Sequence, residues 1–286
     1  MTTHTSPSPT HYFVPEPSHW PIFGSIALLC MATGGVMWLN NAGPGGIVFL
    51  VGVAILVFMM FGWFASVIGE SEGDKYNQQV DVSFRWGMSW FIFSEVMFFA
   101  AFFGALFYMR ALAVPWLGDL DHKILWPEFT SGWPVSGPGL KDLFTPMEAW
   151  GIPALNTLIL LSSGATVTWA HWGLKLNNRK QLIWGLVATI ALGILFLSFQ
   201  AYEYGHAYSE LNLKLTTGAY GATFFMLTGF HGFHVTIGTI MLIAILGRSI
   251  AGHFKPEHHF AFEAVSWYWH FVDVVWLLLF ILVYWL

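Results

Sequence analysis

Seven stretches of this chain are apolar over a length that spans a bilayer: residues 21–39, 46–68, 84–111, 152–172, 181–204, 220–247 and 264–286. Hydrocarbon offers no water to backbone N–H and C=O groups, so a single segment satisfies them only by coiling into a helix. The even alternation of a barrel strand is absent. The expected fold is therefore all-α, a polytopic membrane protein with seven transmembrane helices. Composition agrees: 56% of residues are hydrophobic and 9% are charged, against about 25% charged in soluble domains.

Several function classes fall away at once. Cys30 is the sole cysteine, which excludes an internal disulfide, a Cys-x-x-Cys-His haem attachment and a cluster held by four thiolates of this chain. A net charge of −5 and the lack of basic clusters give no footing for nucleic acid. Residues 1–20 contain no Lys or Arg, three His and four Pro. They lack the basic start of a cleaved signal, so a retained N-terminal cytoplasmic segment is expected.

Basic residues set the expected orientation. Lys75, Arg85, Lys175, Arg179, Lys180, Arg248 and Lys255 fall on the side of the N-terminus, against Arg110, Lys123, Lys141 and Lys214 on the other. The positive-inside rule then places the N-terminus in the cytoplasm and the C-terminus outside. Trp20, Trp86, Trp172, Trp184 and Trp267 would line the inner interface and Trp38, Trp150 and Trp285 the outer one. Four divisions follow: the segment 1–20, a two-helix unit 21–68 turning at 40–44, a polar loop 69–83, and a five-helix unit 84–286 with an outer loop 112–151. Trp126, Trp133, Pro127, Pro134 and Pro138 in that loop suggest an ordered segment lying on another surface.

Polar residues inside the spans are the functional candidates. Glu95 sits in an apolar run from Trp86 to Met109, where a carboxylate costs roughly 3 kcal/mol or more to insert, so it is expected to be neutral or partnered. At 1.5 Å per residue it lies roughly 16 Å from the inner end of its span, and His234 roughly 21 Å from the end of its own. A Glu95–His234 hydrogen bond is feasible; the alternative is a Glu satisfied by water, a Ser or a backbone carbonyl. His231 and His234 share a helical face, but Glu-x-x-His occurs nowhere in the spans. His231 at roughly 25 Å and His270 at roughly 10 Å do not match in depth as two haem ligands would. No metal set is expected. His270 and Asp273 can satisfy each other three residues apart, Glu203 is expected to face outer-side water, and Glu263 with His258 and His259 reads as structural. Thr228, Gly232 and Thr236 form a small-residue seam for a neighbouring helix. Nucleotide, hydrolase and zinc-protease motifs are missing, as are broken half-helices, which disfavours a free-standing transporter or metal enzyme.

Read together, several stretches resemble subunit III of the haem-copper cytochrome c oxidases, in a bacterial member. They are Pro17-Ser18-His19-Trp20-Pro21, Ser94-Glu95-Val96-Met97-Phe98-Phe99, Thr168-Trp169-Ala170-His171, Thr228-Gly229-Phe230-His231-Gly232-Phe233-His234-Val235, His258-His259-Phe260, and above all Trp267-Tyr268-Trp269-His270-Phe271-Val272-Asp273-Val274-Val275-Trp276. The resemblance implies two bundles, spans one and two against spans three to seven, with a V-shaped cleft that holds structural phospholipid. It implies no redox centre here: haem A and copper belong to partner subunits I and II, with cytochrome c as electron donor. Subunit III would pack on subunit I and support proton uptake there while the complex pumps protons in the bacterial inner membrane. Glu95 matches the family's carbodiimide-reactive carboxylate.

Trp63, Glu70, Arg248 and His253 fall where relatives contact lipid headgroups, although Gly69 stands where many have Arg. The related quinol oxidases, the alternative reading, usually lack the first two spans.

Overall fold

The computed structural model describes residues 13–119, 121–140 and 144–286. Residues 1–12 of the N-terminal segment, and Lys141 of the outer basic group, lie outside the described residues. All seven spans are helices, and no strand element occurs among the described residues. They are α1 (Trp20–Leu39), α2 (Gly45–Glu72), α3 (Gln78–Phe107), α5 (Ile152–Lys175), α6 (Arg179–Ser209), α7 (Ala219–Ala251) and α8 (Phe260–Leu279). A wider π-helical turn, Tyr108–Ala113, carries α3 into the short α4 (Val114–Leu117), and a second, Phe280–Trp285, prolongs α8.

Most helices overrun the apolar runs. The polar loop expected over 69–83 shrinks to 73–77, because α2 continues through Glu70 and Glu72 and α3 begins at Gln78. Hydropathy marks where a chain leaves hydrocarbon, whereas the i to i−4 hydrogen bonds persist until a breaker, here Gly73 and Asp74, the latter with φ 51°.

The chain divides into two compact units, residues up to Phe84 and residues from Arg85 onward. In the first, α1 and α2 form an antiparallel hairpin. A β-carbon at Gly34 would collide with the Phe49 backbone, and one at Gly52 would come within 2.7 Å of the Met31 nitrogen. Close backbone approach thus takes the place of side-chain interdigitation, as in small-residue membrane interfaces.

In the second unit, α5 and α6 pair antiparallel through the Thr166–Thr189 hydroxyls at 2.8 Å and Gln181 Nε2 donating to the Trp169 carbonyl at 2.9 Å. Trp269 of α8 is fully buried against Gly193 of α6 and Gly238 of α7, where an added β-carbon would lie 2.9 Å from its ring. Its indole donates to Ser163 of α5 at 2.9 Å, and Trp276 donates to Thr157 at the same distance. This is the close-packed seam of the unit. Within this unit the Thr228–Gly232–Thr236 stripe packs at one end only: Thr228 bonds to Tyr204 at 2.6 Å, while Gly232 has open space around it and Thr236 is exposed.

The outer loop lies on the start of α7. Tyr220 N–H donates to the Val135 carbonyl at 3.2 Å and Ala219 N–H to Ser136 at 2.8 Å, while Trp133 meets the Tyr220 ring edge-on at 5.6 Å.

Candidate functional site

Glu95 on α3 and His234 on α7 meet, with Oε2 2.9 Å from Nε2. The pair lies at mid-helix among the rings of Phe98, Phe99, Tyr268 and Phe271. Its proton count follows from geometry. His234 Nδ1 lies 2.6 Å from the Phe230 carbonyl, an acceptor only, so that nitrogen carries hydrogen. Nε2 then either accepts from a protonated Glu95 or, as part of an imidazolium, donates to a carboxylate. In both forms one proton is shared and the pair is neutral overall, which removes most of the cost of burying either group alone. The Glu95 side chain is 22% exposed and that of His234 10%. The pair therefore borders the outside of the unit.

His231, one turn away, turns to a different neighbour. It is fully buried, and its Nε2 lies 3.2 Å from the Val272 carbonyl, between Phe196 and Trp276. His270 sits between Asp273, at 3.6 Å from Nδ1, and the Thr168 hydroxyl, at 3.3 Å from Nε2. Those three line an open groove of about 590 Å³ between α5 and α8.

Glu203 departs from expectation: it is buried, not water-facing. α6 runs six residues beyond it, to Ser209, and places it beside Gln200 and Tyr284. Tyr284 is the side chain that faces its carboxylate. The sequence could not reveal this, because Tyr284 arrives from α8's π-helical end.

The four headgroup candidates fall into two groups, one in each unit. Trp63 is exposed and stacks on Phe64 at 6.1 Å, and Glu70 accepts from the Tyr76 hydroxyl at 2.7 Å. Burial, then the hydrogen bond and charge of Glu70, raise the Tyr76 phenol above its ordinary pKa, so it remains a donor through the physiological range. In the other unit the Arg248 guanidinium lies 4.7 Å from the Phe254 ring centre, and His253 N–H donates to the Arg248 carbonyl at 3.1 Å just past the end of α7.

One cluster was not foreseen. His171, His259 and Glu263 bring three ligand-capable atoms within 4.8 Å of one another. Its spacing is not that of Glu-x-x-His: the order is reversed at i,i+4, and the third member stands 88 residues upstream of His259.

The family profile described as cytochrome c oxidase subunit III matches residues 10–286. The chain belongs to the cytochrome c oxidase subunit III family. It is 44% identical over 273 residues to cytochrome c oxidase subunit 3 of Marchantia polymorpha, covering 94% of each chain. It is 42% identical to the subunits of the same name from Triticum aestivum and Latimeria chalumnae, over 96% of each chain in both cases. Family membership makes it a multi-pass subunit of the multisubunit respiratory oxidase and disfavours the quinol oxidase reading.

Proposed function

We infer that this chain is the non-catalytic third subunit of its oxidase, packing on subunit I and feeding protons toward that subunit while haem A and copper in subunits I and II reduce oxygen with electrons from cytochrome c. One observation carries the reading: a carboxylate, Glu95, and an imidazole, His234, stand 2.9 Å apart at mid-helix on the margin of the five-helix unit. A hydrogen-bonded carboxylate and imidazole at the edge of a unit are groups of the kind that relay protons to a neighbour. Subunit II is a further partner in this reading, and Trp63, Glu70, Arg248 and His253 are the positions at which structural phospholipid headgroups would bind. A guanidinium at the end of α7 favours an anionic headgroup, since the helix C-terminus and the leaflet surface both attract a cation there.

The membrane is the one that carries the respiratory chain. We place the N-terminus on its cytoplasmic side and the C-terminus on the opposite side from the basic-residue bias. The relatives compared are from plants and an animal, so the bacterial inner membrane rests on the sequence resemblance alone.

Glu95→Gln tests the role. A Gln amide still donates to His234 Nε2, so assembly, haem content and most electron transfer should persist, while proton uptake by the reconstituted complex slows. Loss of haem from the complex, or proton uptake at the wild-type rate, would count against the reading.

A further inference from the structure

His259 caps α8, Glu263 lies in its first turn, and His171 comes from the last turns of α5. His259 Nε2 is 3.2 Å from Glu263 Oε1 and 3.3 Å from His171 Nε2, and His171 Nε2 is 3.9 Å from the same Oε1. The side chains are only 8%, 12% and 18% exposed for His259, Glu263 and His171.

Tautomers make this informative. His259 Nδ1 lies 3.3 Å from the Lys255 carbonyl, which accepts a hydrogen bond only if that nitrogen bears hydrogen. In the neutral ring Nε2 then presents a lone pair to a carboxylate oxygen and to a second imidazole. Where His171 Nε2 presents its lone pair as well, the three atoms repel unless positive charge lies among them. A single proton points along one of these lines at a time, whereas a cation at the centre serves all three.

The spacing fits a particular ion. Ligands about 2.0–2.2 Å from zinc stand about 3.3–3.6 Å apart at the corners of a tetrahedron. Two of the three edges are already near that length, and the third closes with a small rotation of His171. An imidazole oriented by a backbone carbonyl through its other nitrogen is the usual support for a metal-bound His. Arg85 of α3 pairs with Glu263 Oε2, which fixes the carboxylate and leaves Oε1 turned to the two rings.

The geometry points to a His171–His259–Glu263 site for a divalent cation of zinc type, completed by water, that clamps the end of α5 to the start of α8. Imidazole and carboxylate donors suit Zn²⁺. The ion has no redox chemistry, so the site adds no electron carrier and stands apart from the Glu95–His234 pair.

The test uses the intact oxidase complex, stripped with a chelator and titrated with zinc chloride, with bound zinc counted by elemental mass spectrometry. Wild type should hold one more zinc per complex than the same complex carrying His171→Ala or Glu263→Gln. Half-saturation of that zinc should shift at least about 100-fold in the variants, beyond what losing a side chain that merely supports a metal-bound residue causes. Equal zinc counts would overturn the proposal. Anomalous diffraction at the zinc edge from the loaded wild-type complex decides independently of whether the variants assemble. A peak among His171 Nε2, His259 Nε2 and Glu263 Oε1 is expected, and zinc found only elsewhere in the complex would refute it.

Discussion

The α1–α2 hairpin and the α5–α8 helices solve the same problem by different means. Lipid tails are as apolar as leucine, so neither can rely on hiding hydrophobic surface from water. The hairpin brings backbones together at Gly34 and Gly52 and turns its large side chains outward, Leu39 and Phe61 among them. The four-helix set does the reverse. It buries Trp269, Trp276, Phe196 and His231 and ties helix to helix with side-chain hydrogen bonds. The difference teaches that glycine contacts suffice for the hairpin, whereas the second unit adds buried rings and side-chain hydrogen bonds to its own glycine contacts at Gly173 and Gly185, so the effect of a substitution depends on which kind of contact it strikes.

The sharpest contrast is truncation of a tryptophan. Trp269→Ala should remove about 3–5 kcal/mol and abolish assembly on native gels. Trp38→Ala, on an exposed position of the hairpin, should shift stability by less than about 0.5 kcal/mol. Equal effects would erase the distinction between the units.

Enlargement should invert the ranking. Gly52→Val, driven into the Met31 backbone, should cost about 1–3 kcal/mol and open the hairpin to proteolysis, while the haem spectrum of the complex stays intact. Gly232→Val, in open space on α7, should leave proteolysis unchanged.

Hydrogen-bond loss falls in the same range as enlargement and below tryptophan truncation. Glu95→Ala strands His234 Nε2 and should cost about 1–3 kcal/mol, visible as a lower melting temperature than Glu95→Gln gives. Finding the two variants equally stable would show that the pair adds nothing to the fold of the five-helix unit.

The smallest effect belongs to the first unit. Tyr76→Phe deletes the bond to Glu70 and should cost about 1 kcal/mol. Because the folded phenol's pKa is raised, its contribution is fully present below the unfolded value near 10 and is lost as pH rises through the folded value. Wild type and Tyr76→Phe should therefore converge in alkaline thermal melts, and a gap that persists at high pH would contradict the assignment.

Helices were legible because each apolar run had to coil, and depth counting along straight helices was enough to set Glu95 level with His234. What depth counting cannot give is direction. His231 and His234 share a face in the sequence, yet one turns to the Val272 carbonyl and the other to Glu95, since neighbouring helices approach from two sides. Glu203 looked like an end-of-span carboxylate because the apolar run stops at Tyr204, but the helix does not. The His171 cluster escaped for a third reason: one member lies on another helix, and only packing brings α5 and α8 to the same point.

Trp269 carries a consequence for biogenesis. It fills notches on α6 and α7 and bonds to α5, all of which are translated before it. Until α8 enters the bilayer, those earlier helices carry a vacant slot beside Ser163, whose hydroxyl has only its bond to the Leu160 carbonyl of its own helix. Closure of the unit is therefore a late event, and a chain stalled before Trp269 would remain a loose set of helices open to quality-control proteases.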